Sequence, residues 1–238
     1  MKKRLIITDL SKMKGDNICI FGVDEEGKAI RPVMPYSGIT EKYILSEEDK
    51  QMIKPFAEIE FDFIRSLPKP PHTEDWEINT NYKPVWVRNL SEDEKKELLK
   101  SILDKSVKDI FEVVIHKNRY IEEGEGRRSI GTIKVEDVLF VKYSMTDSSK
   151  YEYRIKFLDM NGDIYDLPVT DLTFRSYCDE LRIQKELNMG FIGAELKRIS
   201  NQGEVFLRVG LGRFFKMKHW LFITGVYIFP NYIKKFEK

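Results

Sequence analysis

In the N-terminal third of the chain, apolar positions recur with the short period of strands. Arg4 to Thr8, Asn17 to Val23 and Ala29 to Val33 are β-branched or aromatic-rich pieces separated by breaks at Gly15 and Gly27, which predicts consecutive strands. DEEGK, residues 24 to 28, suits the hairpin turn between the last two. From Ala57 to Ile64, Ile59, Phe61 and Phe63 alternate with Glu58, Glu60 and Asp62. That alternation is the mark of a half-buried strand, and Pro84 to Arg88 adds another.

The period then lengthens. In SEDEKKELLKSILDK, residues 91 to 105, Ser91 and Glu94 have capping-box spacing, and Leu98, Leu99, Ile102 and Leu103 form an apolar face, so a helix is predicted. Strand texture returns in Arg128–Val135, Val138–Ser144, Tyr151–Leu158 and Asp163–Val169, with MNGD at 160 to 163 as a hairpin turn. A second helix is predicted over Leu172 to Leu187, where Phe174, Tyr177, Cys178 and Leu181 share a face. Two strands, Val205–Gly210 and Trp220–Phe229, close the pattern.

Mainly β sequence with a few helices, in two runs of about five strands, is the parts list of two tandem OB-like small β-barrels. The expected division is a first barrel with its following helix over 1–106 and a second, with an inserted helix, over 107–238. A single larger β-rich α+β domain has the same texture.

Composition narrows the partners. Forty basic against thirty-nine acidic residues leave a net charge of +1, so no global field draws the protein to a polyanion. Any nucleic-acid site must be a local patch. Cys19 and Cys178 stand far apart without a CxxC partner, which argues against a disulfide framework or a zinc site and for a reducing cytoplasm. No apolar run reaches the length of a membrane span, and no spacing of His with carboxylates calls for a metal or another cofactor.

Candidate chemistry gathers in three places. KPPHTEDW, residues 69 to 76, offers His72 with Glu74 or Asp75 as an acid/base pair. No second histidine or nucleophile motif accompanies it, so the plainer reading is a proline-stiffened corner at which Trp76 packs or stacks. Arg31, at a strand end beside Pro32, suits a phosphate, a base or a salt bridge equally well. From Gly203 onward seven basic residues face two acidic ones, and Arg208, Arg213, Phe214, Phe215, Lys216, His219 and Trp220 interleave cations with aromatics. That mixture can track a backbone while stacking bases, although each ring taken alone fits a core position. EEGEGRRSIG, residues 122 to 131, reads as a mobile loop carrying Arg127 and Arg128.

Three segments in order, KRLIITDLSKMKGDNICIFGVDEEGKAIRPV, PPHTEDW and LRVGLGRFF with HWLFITGVYIFPNYI, resemble the dual OB-containing domain family of prokaryotic proteins. The resemblance spans nearly the whole chain. It implies two OB-like barrels and a nucleic-acid or nucleotide-sensing role in a genome-defence setting, and by position it matches Arg31, His72, Trp76, Arg208 and Arg213. The chain departs from the pattern in its N-terminal turn, which lacks the family's glycine-arginine richness, and at Phe214, where a proline often follows the arginine.

The resulting expectation is a binder of single-stranded or distorted nucleic acid, without catalysis or cofactor. Its expected contact residues are Arg31, His72, Trp76, Arg208, Arg213, Phe214, Lys216 and Trp220. The alternatives are a nucleic-acid hydrolase centred on His72, Glu74 and Asp75, and a protein-interaction module.

Overall fold

The computed structural model describes residues 1–34, 36–46, 48 and 50–233. Lys234, Lys235, Glu237 and Lys238 of the basic C-terminal stretch lie outside them. The chain divides into two compact units, Met1–Ile102 with Arg127–Ser129, and Leu103–Gly126 with Ile130–Lys238.

In the first unit the strands are β1 (Lys2–Lys12), β2 (Asn17–Val23), β3 (Ala29–Val33), the two-residue β4 (Ile39–Thr40), β5 (Ala57–Ser66), β6 (Asp75–Ile78) and β7 (Val85–Asn89). Strand β1 is long enough to serve two neighbours. Its first half pairs antiparallel with β5, from Lys2↔Asp62 to Ile6↔Glu58, and its second half with β2. A bulge between Ile7 and Asp9 bends it between them. Strand β3 runs parallel to β6, Arg31 facing Asp75, and β6 returns antiparallel to β5. The ring β1-β2-β3-β6-β5 therefore closes on itself, a five-stranded barrel in OB order. Leu5, Ile7, Ile20, Ile30 and Ile59 are fully buried in it.

Strand β7 and helix α1 (Glu92–Ser101) follow, and the predicted capping box is formed: Ser91 accepts from the Glu94 amide, and the Glu94 side chain accepts from the Ser91 amide. That donor, with Arg88 beside it, holds the Glu94 carboxyl down at about 2.

The second unit begins with β8 (Leu103–Asp104), α2 (Val107–Phe111) and β9 (Tyr120–Glu122). It continues through β10 (Ile130–Met145), β11 (Tyr151–Asp159), β12 (Ile164–Pro168), α3 (Leu172–Gln184), α4 (Met189–Ser200), β13 (Glu204–Leu211) and β14 (Lys218–Phe229). Strand order is β12-β11-β10-β13-β14-β9. Here β10 repeats the role of β1, pairing with β13 through its first half and with β11 through its second. A single parallel bridge, Val169↔Ile223, stands where the barrel seam would close. This unit is a curled half-barrel of the same OB connectivity, with α3 and α4 inserted between its third and fourth strands.

Three expectations change. The break expected near Glu136 is absent: two bulges, at Val135/Asp137 and Val138/Phe140, absorb the polar residues within one sixteen-residue strand. Helix α4 replaces what read as a connection, because its two glycines depress helix propensity in the sequence. Gly193 is required by packing, since a Cβ there would lie 2.4 Å from the Val141 carbonyl oxygen. The segment read as a mobile loop is tied down at its end, where Ser129 is buried and bonded to Glu74.

Candidate nucleic-acid interface

Both sequence clusters fall at one topological position, the connection between the fourth and fifth strands of an OB unit. KPPHTE lies in the β5–β6 connection, residues 67–74. RFFKM lies in the β13–β14 connection, residues 212–217.

In the first connection Pro71, His72 and Glu74 are buried, while Pro68, Lys69 and Pro70 are exposed. Arg31 is 5% exposed, lies 5.2 Å from the Phe21 ring and bonds Asp75 through Nε at 2.5 Å, with Nη2 on the same carboxylate oxygen. The register that sets Arg31 opposite Asp75 makes this pair. Glu74 accepts from the Ser129 amide at 2.7 Å and the Ser129 hydroxyl at 2.9 Å, and the Thr73 hydroxyl donates to the Arg127 carbonyl at 2.8 Å. Burial raises the proton affinity of Glu74, against the Ser129 bonds and the nearby Arg31 charge that lower it. His72 is 3% exposed. Trp76, half-buried in β6, meets Phe63 edge-on at 5.8 Å and carries the Lys3 ammonium 5.1 Å above its ring. The carboxylates needed for an acid/base site are thus engaged by Arg31 and Ser129, away from solvent.

The second connection is turned outward. Arg213, Phe214, Phe215, Lys216 and Met217 are all exposed. Phe215 and Lys218 exchange backbone hydrogen bonds of 2.9 and 3.3 Å. Between them Lys216 and Met217 both have positive φ, 53° and 64°, the signature of a type I′ turn made without its usual Asn-Gly. The loop is fastened from below. Trp220 Nε1 donates to the Phe215 carbonyl at 3.2 Å, His219 Nδ1 donates to that of Gly212 at 3.0 Å, and Phe214 leans on the His219 ring.

Strand β9 adds residues that the sequence reading missed. It sets Tyr120 opposite Trp220, with ring centroids 5.3 Å apart and the Lys218 ammonium 3.7 Å over Tyr120. His116 stacks on Tyr120 at 5.4 Å. The turn from His116 to Arg119 repeats the strained geometry, with φ of 53° at both Lys117 and Asn118, and leaves Lys117 and Arg119 exposed. About a hundred residues separate Tyr120 from Trp220, and a three-residue strand has no readable period; only pairing brings them together.

Arg208 does not reach this surface. Its side chain is 2% exposed within the second unit, and Nη1 donates to the Thr132 hydroxyl at 2.8 Å. Of the eight expected contact residues, Arg213, Phe214, Lys216 and Trp220 therefore share one loop and its base, whereas Arg31, His72 and Arg208 are buried.

A family model for a dual OB-containing domain matches residues 2–226. The chain belongs to the dual OB-containing domain family. No curated protein matches it.

Elsewhere on this family member, a groove of about 630 Å³ runs along the outside of the first barrel. Within it Lys2 pairs with Glu60 at 3.0 Å and Arg88 with Glu58 at 2.9 Å. Among the described residues no group of three or more His, Cys, Asp or Glu is placed to hold a metal ion, and no helix is long and apolar enough to cross a membrane.

Proposed function

We propose that the protein binds nucleic acid, single-stranded or locally distorted, through the β13–β14 connection of its second unit, and that it has no catalytic activity of its own. The observation that carries this reading is the run of five exposed residues, Arg213 to Met217, in which two cations are interspersed among three apolar side chains. It stands where OB folds use the loop between their fourth and fifth strands for oligonucleotides. Arg213, Lys216 and Lys218 take phosphates, and the aromatic side chains Phe214 and Trp220 meet unstacked bases. A cytoplasmic setting fits Cys19 and Cys178, which are not joined by a disulfide; a genome-defence role is what the family resemblance implies.

Titrating single-stranded DNA, duplex DNA and RNA over a salt series tests this. The logarithm of affinity should fall linearly with that of salt, and Arg213→Ala and Lys216→Ala should each flatten the slope by about 1. Affinity indifferent to salt would instead mark a protein partner. The hydrolase alternative requires His72→Ala to abolish nucleic-acid turnover, and the engagement of Glu74 and Asp75 argues against it.

A further inference from the structure

The tip of the β13–β14 connection is shaped to enter a stack. Phe215 and Met217 are 61% and 64% exposed at the end of a two-residue turn, so their surface is convex. A platform for successive bases needs a row of uncovered ring faces, and here each ring already has a neighbour. Lys218 covers Tyr120 and lies 5.8 Å from the Trp220 ring, Lys216 lies 5.3 Å over Phe215, and Phe214 rests against His219. What remains is a narrow apolar end collared by Arg213, Lys216 and Lys218.

The geometry points to a wedge: Phe215 and Met217 insert between base steps while the collar grips the flanking phosphates. This rests on the nucleic-acid reading above and narrows its ligand to a duplex whose stacking is already interrupted, at a gap, a mismatch or a junction. Apolar side chains inserted into an intact stack must unstack it, at roughly a few kcal/mol per step. At an interruption that penalty is absent, and the duplex on either side presents two phosphate backbones to the cations. A continuous single strand offers only one.

The test uses the full chain and three labelled DNAs of one sequence: a continuous single strand, an intact duplex, and the duplex with a short gap flanked by a fluorescent adenine analogue. The gapped duplex should bind about tenfold tighter than either other form, the size expected for one stacked side chain. The analogue should brighten as it loses its neighbour. Phe215→Ala combined with Met217→Ala should erase both effects while the salt slope persists, since every collar cation remains; both residues are exposed, so the fold is not at risk.

Equal affinity for the single strand and the gapped duplex, or an unchanged analogue signal on binding, overturns the wedge and leaves the nucleic-acid reading standing. Binding to none of the DNAs, with capture instead by vesicles of anionic phospholipid, overturns both.

Discussion

Glu74 shows how much one buried carboxylate can organise. It is 6% exposed, it holds Ser129 by two hydrogen bonds, and burial raises its proton affinity above the ordinary carboxylate value. A carboxyl with a raised folded pKa contributes stability that is fully present below its unfolded value and is lost as pH rises through the folded one. Wild type should therefore lose stability relative to Glu74→Gln as pH climbs from the acid side toward neutrality, which denaturant titration at a series of pH values will read. Removing the acceptor altogether strands two buried donors, and Glu74→Ala should cost about 1–3 kcal/mol. None of this could be seen in KPPHTEDW alone. The spacing of His72, Glu74 and Asp75 resembles an acid/base cluster, but the partners that define them, Arg31 and Ser129, come from distant sequence.

At the scale of elements, the β13–β14 hairpin carries strain that its sequence could easily shed. Lys216 and Met217 occupy the left-handed region, where a side chain costs roughly 1–2 kcal/mol and Asn-Gly is preferred. Lys216→Asn with Met217→Gly should stabilise the protein by about 1 kcal/mol, raising the unfolding midpoint by roughly 2–4 °C in a thermal melt. The same change should weaken binding of gapped DNA, because it removes one collar cation and half of the apolar tip. A double variant that gained stability and kept full affinity would detach the strain from function. Helix α1 gives the opposite case, an element written out locally: Ser91→Ala should cost about 1 kcal/mol by chemical denaturation.

For the whole molecule, the instructive comparison is between two connections at equivalent places in two OB units. One holds Glu74, with Asp75 next to it, in internal bonds; the other displays Arg213 and Lys216. Arg31→Ala should leave the Asp75 carboxylate buried without this partner and destabilise the fold by about 3–5 kcal/mol, with DNA affinity per folded molecule unchanged. Arg213→Ala should do the reverse, weakening binding with a stability change within about 0.5 kcal/mol. Measuring melts and affinities for both variants separates the roles. A loss of affinity in well-folded Arg31→Ala would return the first unit to the interface. Because the net charge is only +1, whatever attraction nucleic acid feels must come from such local display.

Much of the architecture was legible beforehand. Alternating Ile59, Phe61 and Phe63, the Ser91–Glu94 cap and the MNGD turn each act within a few residues, so local sequence determined the strands, the first helix, the hairpins and the two-unit, mostly β character. Strand β6 hid behind prolines, α4 behind glycines, and β9 was too short for any period. Which cations are presented and which are buried was decided only in three dimensions. Arg208 and Arg213 look alike in sequence, yet strand register sends one to Thr132 and a turn sends the other to solvent. Pairing energy between remote strands sets that difference, and a linear pattern does not contain it.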